Sequence, residues 1–161
     1  MMISLSAVAL TAAQSRQPSA PKDSVIVMTR QSLSGIVDEL EKQAGNKNRD
    51  VVAAAGNQMR VALFHDENRV NDLVEVHDNS DDIYYVLDGT ATLLLGGTLV
   101  DPNETAPGEW RAKSSTGGKS YTIRKGDLIV VPRGTPHQRT VTGKGFSMVL
   151  IKIFERQQPG N

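Results

Sequence analysis

The chain has 161 residues, a length that fits one domain, since single domains commonly hold about 100–150 residues. Its 18 basic and 18 acidic residues cancel, so no broad positive field is available to hold a nucleic-acid backbone or an anionic membrane surface. Cysteine is absent, which removes disulfides, thiolate metal sites and cysteine nucleophiles and leaves His65, His77 and His137, with the carboxylates, as the strong ligand types.

Met1 to Ala13 form an apolar run of small and aliphatic residues, shorter than the roughly 20 residues a membrane-spanning helix needs, so no membrane span is expected. Its length and the small residues that follow suit a signal peptide cut near Ala13, which points to a secreted or periplasmic protein. No Lys or Arg precedes the run, and an uncleaved N-terminus would instead leave the chain cytoplasmic. Residues 14–23 carry two prolines among polar neighbours, the composition of an extended linker, so a single folded domain is expected over 24–157.

Within Ser32 to Ala44, Leu33, Ile36, Val37 and Leu40 recur at helical spacing, with Lys42 near the end and Gly45 as a stop. Beyond that one helix the period changes to two. Strands are expected at 24–29, 50–55, 58–65, 72–77, 82–88, 90–96, 120–124, 128–131, 136–142 and 146–154, separated by Asp-Gly, Gly-Gly and Lys-Gly turns. So many short strands after one N-terminal helix predict an all-β fold, an antiparallel barrel closed to remove its edges. The prolines and glycines of 97–119 argue against any regular element there. That long excursion, with Trp110, reads either as a solvated loop or as a lid or dimer contact.

Four residues form a candidate metal site. Glu75 and His77 alternate on one strand and so share a face; Asp82 opens the next strand after a four-residue turn; His137 follows the stiff turn Pro132 to Pro136. Two carboxylates buried side by side would repel, so their meeting argues for a bound cation. Three more residues are candidates for the same cavity. His65 shares the alternating face of Met59, Val61 and Leu63, which reads as a core histidine or as a proton-shuttling group. Tyr84 shares the face of Asp82, where its hydroxyl either orients a substrate or satisfies a core hydrogen bond. Arg139 lies two residues after His137 and would pair with a substrate carboxylate or with a protein carboxylate.

These residues fall into two motifs that resemble those of the cupin superfamily. The first, about 75–89, has His-x-His, four residues, Glu, six residues, Gly; here His77 takes the second His position, Asp82 the Glu position and Gly89 the closing Gly, with Tyr85-Val86-Leu87 before it. The second, about 126–137, is matched by Gly126, Pro132, Gly134 and His137. Glu75 stands where the first His is usual, Asp82 replaces the longer Glu, and Arg69 stands where a glycine is expected. The resemblance spans residues 58–154 and implies a double-stranded β-helix of the jelly-roll kind, one divalent metal per site, a small-molecule substrate and a homodimer.

The implied ligand set of Glu75, His77, Asp82 and His137 mixes nitrogen and hard oxygen donors, which suits Mn, Fe, Zn or Ni without choosing among them. If both carboxylates ligate, they neutralise a divalent ion and lower its Lewis acidity. If Glu75 does not, His77, Asp82 and His137 form the two-His, one-carboxylate set of non-haem iron oxygenases, and Glu75 is free as a general base. A metalloenzyme acting on a small oxygenated molecule is the favoured expectation, either an oxygenase or an isomerase or lyase working through an enolate. The alternatives are a non-catalytic ligand-binding or sensor barrel and a structural barrel with a vestigial site. No nucleophile elbow, phosphate loop or dinucleotide fingerprint is present.

Overall fold

A computed structural model describes residues 18–21, 23–143 and 145–160; the expected leader and half of the linker lie outside the described residues. The helix α1 spans Arg30–Glu41, two residues earlier than its apolar spacing predicts, because Thr29 caps it by accepting a hydrogen bond from the Ser32 backbone N–H at 3.1 Å. No helix among the described residues is long and apolar enough to cross a membrane.

Among the described residues thirteen strands follow: β1 (Lys47–Val52), β2 (Met59–Asp66), β3 (Val74–His77), β4 (Ser80–Asp88), β5 (Thr90–Leu95), β6 (Thr98–Val100) and β7 (Asn103–Ala106), then β8 (Glu109–Ala112), β9 (Ser114–Thr116), β10 (Lys119–Arg124), β11 (Leu128–Val131), β12 (His137–Thr140) and β13 (Phe146–Phe154). They form a five-stranded sheet ordered β1-β2-β13-β4-β11, a six-stranded sheet ordered β10-β5-β12-β3-β8-β7, and a short β6-β9 ribbon. Pairing within both large sheets is antiparallel, as the period-two pattern predicts.

The inward residues of the two sheets meet in one core, with Leu93, Val141 and Phe146 wholly buried and Tyr84, Val86 and Met148 beside them. A second, smaller cluster lies outside the five-stranded sheet. There Val37 and Leu40 of α1 cover Leu63 of β2, with Val149 of β13 alongside. Burying such an aliphatic pair offsets the cost of ordering an isolated twelve-residue helix, which is marginal alone.

Two expectations fail here. Residues 24–29 run extended into the helix cap with no strand partner, and Val25 and Val27 are largely exposed, so β-branched residues alone did not make a strand. Residues 97–119 are not an irregular loop, because they contain β6, β7, β8 and β9. Pro102 and Pro107 sit between these short strands rather than inside them, which is where proline is tolerated.

Gly89, which closes the first motif, links β4 to β5 at a φ of 80°, and a Cβ there would lie 2.2 Å from the Gly145 carbonyl oxygen. Both the backbone angle and the contact with main chain exclude a side chain. Gly89→Ala should cost on the order of 3 kcal/mol, from strain and overpacking together, read as a lower denaturant midpoint at unchanged slope. A midpoint within error of the parent would show that the turn relaxes freely.

Candidate metal centre

Strand register assembles the site. Glu75 of β3 stands directly opposite His137 of β12, and on its other side β3 pairs with β8, which sets Arg111 opposite Glu75 and Glu109 opposite His77. From the facing sheet, β4 and β13 place Asp82 opposite Lys152 and Tyr84 opposite Leu150. Side chains at such directly paired positions are neighbours, so five strands deliver their charged residues into one cavity of about 270 Å³. Phe64, Leu73, Met148 and Leu150 supply its apolar walls.

A clamp joins the two motifs. The Arg133 backbone N–H donates to Asp81 Oδ1 at 2.8 Å while the guanidinium Nη2 donates to Oδ2 at 2.9 Å, and Gly134 N–H donates to the His77 carbonyl at 2.8 Å. The hydrogen bonds from Arg133 hold the Asp81 carboxyl below the usual carboxylate range. The turn that leads to His137 is thereby tied to the hairpin that follows His77.

Glu75, His77 and His137 each offer a donor atom, and these three atoms all lie within 4.8 Å of one another. Both imidazoles are oriented from behind. His77 Nδ1 donates to Glu109 Oε2 at 2.7 Å and His137 Nδ1 donates to the Thr135 carbonyl at 2.9 Å, which leaves both Nε2 lone pairs turned to the cavity. His137 Nε2 is buried with no hydrogen-bond partner, an arrangement that is costly unless a ligand takes up the lone pair. Burial, with the nearby His77, lowers the His137 pKa below the usual histidine value and favours the neutral form that a metal needs. His77 Nε2 lies 3.6 Å from Glu75 Oε2, within reach of a bridging ion whose bonds are about 2.1 Å long. The residues present therefore fit a divalent metal.

Asp82 is placed differently from the other three. Its Oδ2 is 3.7 Å from His77 Nε2 and 3.8 Å from His137 Nε2, but its Oδ1 lies 2.7 Å from the Lys152 ammonium. That contact is an ion pair without an aligned hydrogen bond. The sequence offered either a four-ligand set or a triad with Asp82 and a spare Glu75; the geometry groups Glu75 with the two histidines and sets Asp82 Oδ2 at a similar distance from both rings, with its other oxygen paired to Lys152.

The remaining candidates separate. Tyr84 lies in the cavity and its hydroxyl donates to Asp82 Oδ2 at 3.2 Å; burial, reinforced by the Asp82 charge, pushes its pKa far above the ordinary value, so it is a hydrogen-bond donor and not a base. Arg139 lines the cavity with its guanidinium taken by a protein carboxylate, Asp66, at 2.7 Å. His65 faces the other way. Arg60 and Phe64 of β2 line the cavity, whereas Leu63 lies under α1 and His65 shares its alternation, bonded through Nδ1 to Ser147 Oγ at 2.9 Å. The alternation holds with its inward face inverted, so His65 is a buried, hydrogen-bonded histidine, the first of its two expected roles, and lies outside the cavity.

Glu109, Arg111 and Lys152 were missed. Glu109 and Arg111 alternate around Trp110 in a segment read as loop, and Lys152 is the one charge within the apolar strand Phe146–Phe154. Burial alone would raise the Glu109 carboxyl, but the hydrogen bond from His77, with the Lys152 and Arg111 charges, outweighs it and holds the pKa below the usual value. Glu109→Gln should weaken metal binding about 10–100-fold in a chelator competition, because it loosens the bond that orients His77. Unchanged affinity would mean that Glu109 does not position the ring.

The profile of the Cupin family matches residues 58–161. Among solved structures, the fold is similar to a conserved protein with a double-stranded β-helix domain from Klebsiella pneumoniae, with a TM-score of 0.52, 18% identity and coverage of 75% of this chain and 89% of that one. It is also similar to KdgF from Halomonas sp., with a TM-score of 0.50, 15% identity and coverage of 71% and 84%. DMSP lyase DddQ from Ruegeria pomeroyi gives a TM-score of 0.51 at 14% identity over 71% of this chain, which spans only 49% of the lyase's length. At these identities the likeness establishes the fold. No curated protein matches the chain in sequence.

Proposed function

The chain belongs to the cupin family, and on that footing we propose that it is a metal-dependent enzyme acting on a small oxygenated organic molecule, with Glu75, His77 and His137 holding one divalent ion. The observation that carries this reading is the buried, unpartnered Nε2 of His137, which converges with the His77 ring and the Glu75 carboxylate in a cavity of ligand size. Bound there, a divalent transition metal would supply Lewis acidity toward a substrate oxygen or, if it is iron, redox chemistry with dioxygen.

The chain's own groups do the rest. Phe64, Met148 and Leu150 exclude water from one wall, which strengthens every charge interaction inside. Tyr84 presents a fixed O–H, and the Lys152 ammonium stands beside it on Asp82 as a proton donor. With Asp82 neutralised by Lys152, a divalent ion keeps one positive charge beyond Glu75, so it is a stronger Lewis acid than the four-ligand set would leave.

Elemental analysis of natively purified protein tests the reading, with one transition-metal ion per chain expected. No stoichiometric metal, together with no thermal shift on adding Mn, Fe, Ni or Zn, would overturn it. Oxygen consumption with catechol-like or diketone substrates then separates an oxygenase from an isomerase or lyase, and metal loading with no turnover of any oxygenated substrate would favour a binding barrel.

A further inference from the structure

The inward alternation of β2, β4 and β13 lines the cavity, and the outward alternation of the same strands has little packed over it. Val52, Val61, Ile151, Ile83 and Val130 stand in register across the whole sheet β1-β2-β13-β4-β11, one aliphatic residue per strand. None of the five is buried, although β13 is the middle strand, and Val130 at the β11 edge is 57% exposed. In the next row α1 covers Leu63 and Val149 but leaves Tyr85 and Leu128 exposed, at 46% and 66%. The N-terminal segment nears the β1 end of this face through Ile26, yet a groove of about 620 Å³ remains between it and the pair Val52 and Val61.

At about 4.8 Å between strands the aliphatic row runs roughly 20 Å, and with the rows beside it the apolar face is on the order of 400 Å², the size at which an exposed patch marks an interaction site. A stable interface takes about 800 Å² from each partner, and the flank of α1 with the exposed Val25 and Val27 supplies the rest. The charges on the rims select the partner. Asp81 pairs with Arg133 at 2.9 Å at one end of β4, and Asp88 pairs with Lys125 at 3.1 Å at the other, so each rim carries both signs while the face between them carries none. An anionic membrane or a strongly charged protein finds no field of opposite sign there. A copy of the same face meets apolar surface with apolar surface, and its rims offer both signs to both signs. We propose that the outer face of the five-stranded sheet is the interface of a two-fold homodimer, in which the aliphatic row packs against the same row of a second chain. Ile83 lies between Asp82 and Tyr84, and Ile151 between Leu150 and Lys152, so the second chain buttresses the reverse of the cavity wall.

Sedimentation velocity of the full chain over a concentration series tests this, with a two-chain species expected at a dissociation constant of about 1 μM or below. Val130→Glu and Leu128→Glu place a charge at exposed positions that a monomer tolerates, and each should weaken the dimer at least about a hundredfold with circular dichroism unchanged. Tyr121→Glu, at a position 42% exposed on β10 of the other large sheet, should leave the dimer intact. Because the chain has no cysteine, Leu128→Cys supplies a single thiol, which should be alkylated about tenfold more slowly in the dimer than after dilution to monomer. Tyr121→Cys should show no such difference. A chain that stays monomeric at about 100 μM would overturn the proposal, whether the Leu128→Cys thiol is open or is shielded by another part of the same chain. A dimer that survives both glutamate variants, or that leaves the Leu128→Cys thiol as reactive as in the monomer, would also overturn it, by placing the interface elsewhere.

Discussion

His137→Ala is expected to abolish metal retention, with affinity falling by more than about a hundredfold, while the barrel stays folded. The ring is a poor contributor to stability for its size. Its Nδ1 makes one bond to a backbone carbonyl, and its Nε2 makes none within the protein, so truncation frees only the partly buried Thr135 carbonyl. What is lost is the lone pair that faces Glu75 and His77. The stabilisation a saturating metal gives the parent, about 2.7 kcal/mol at a hundred times Kd, should disappear from the variant's thermal shift. Glu75→Gln should behave alike and Asp82→Asn much less so, because the Asp82 charge is already committed to Lys152. Circular dichroism of a folded H137A that still binds metal stoichiometrically would contradict the assignment.

Asp66→Ala should be the most destabilising substitution near the site, at about 3–5 kcal/mol. The Asp66 side chain is wholly buried and accepts from Arg139 Nε at 2.7 Å, with Arg69 Nη1 donating at 3.4 Å. Arg139 is itself buried and stacked within 5.7–6.0 Å of the Phe64, Tyr84 and Phe146 rings. Truncating Asp66 would leave a guanidinium with no anion in the core, the costly way to break a buried pair. Replacing both partners together, Asp66→Leu with Arg139→Met, should recover most of the loss, and denaturant unfolding of single and double variants separates the pair from its packing. A single variant within about 1 kcal/mol of the parent would show that water reaches Arg139.

The barrel was legible because its strands alternate cleanly. Met148, Leu150 and Lys152 on one side of β13 and Val149 on the other show the period that predicts a two-sided sheet, here with α1 covering the outer face. The candidate ligands were legible because two motifs fix their spacing, and register across β3 and β12 then brings Glu75 to His137. What failed was non-local. Which face of β2 points inward depends on where α1 packs, so the alternation that makes His65 a buried histidine does not put it in the cavity. Prolines between very short strands concealed β7 and β8, and with them Glu109 and Arg111. The ion pair of Asp82 was beyond local reading because Lys152 lies seventy residues away and stands opposite Asp82 only once β13 pairs with β4.

Which carboxylate would hold the ion is the point on which the proposal stands. Anomalous diffraction at the metal edge from crystals of the manganese-loaded protein tests it directly. The expected density places the ion on Glu75 Oε, His77 Nε2 and His137 Nε2, with Asp82 still paired to Lys152. An ion bonded to Asp82, with Lys152 displaced and Glu75 turned away, would contradict it.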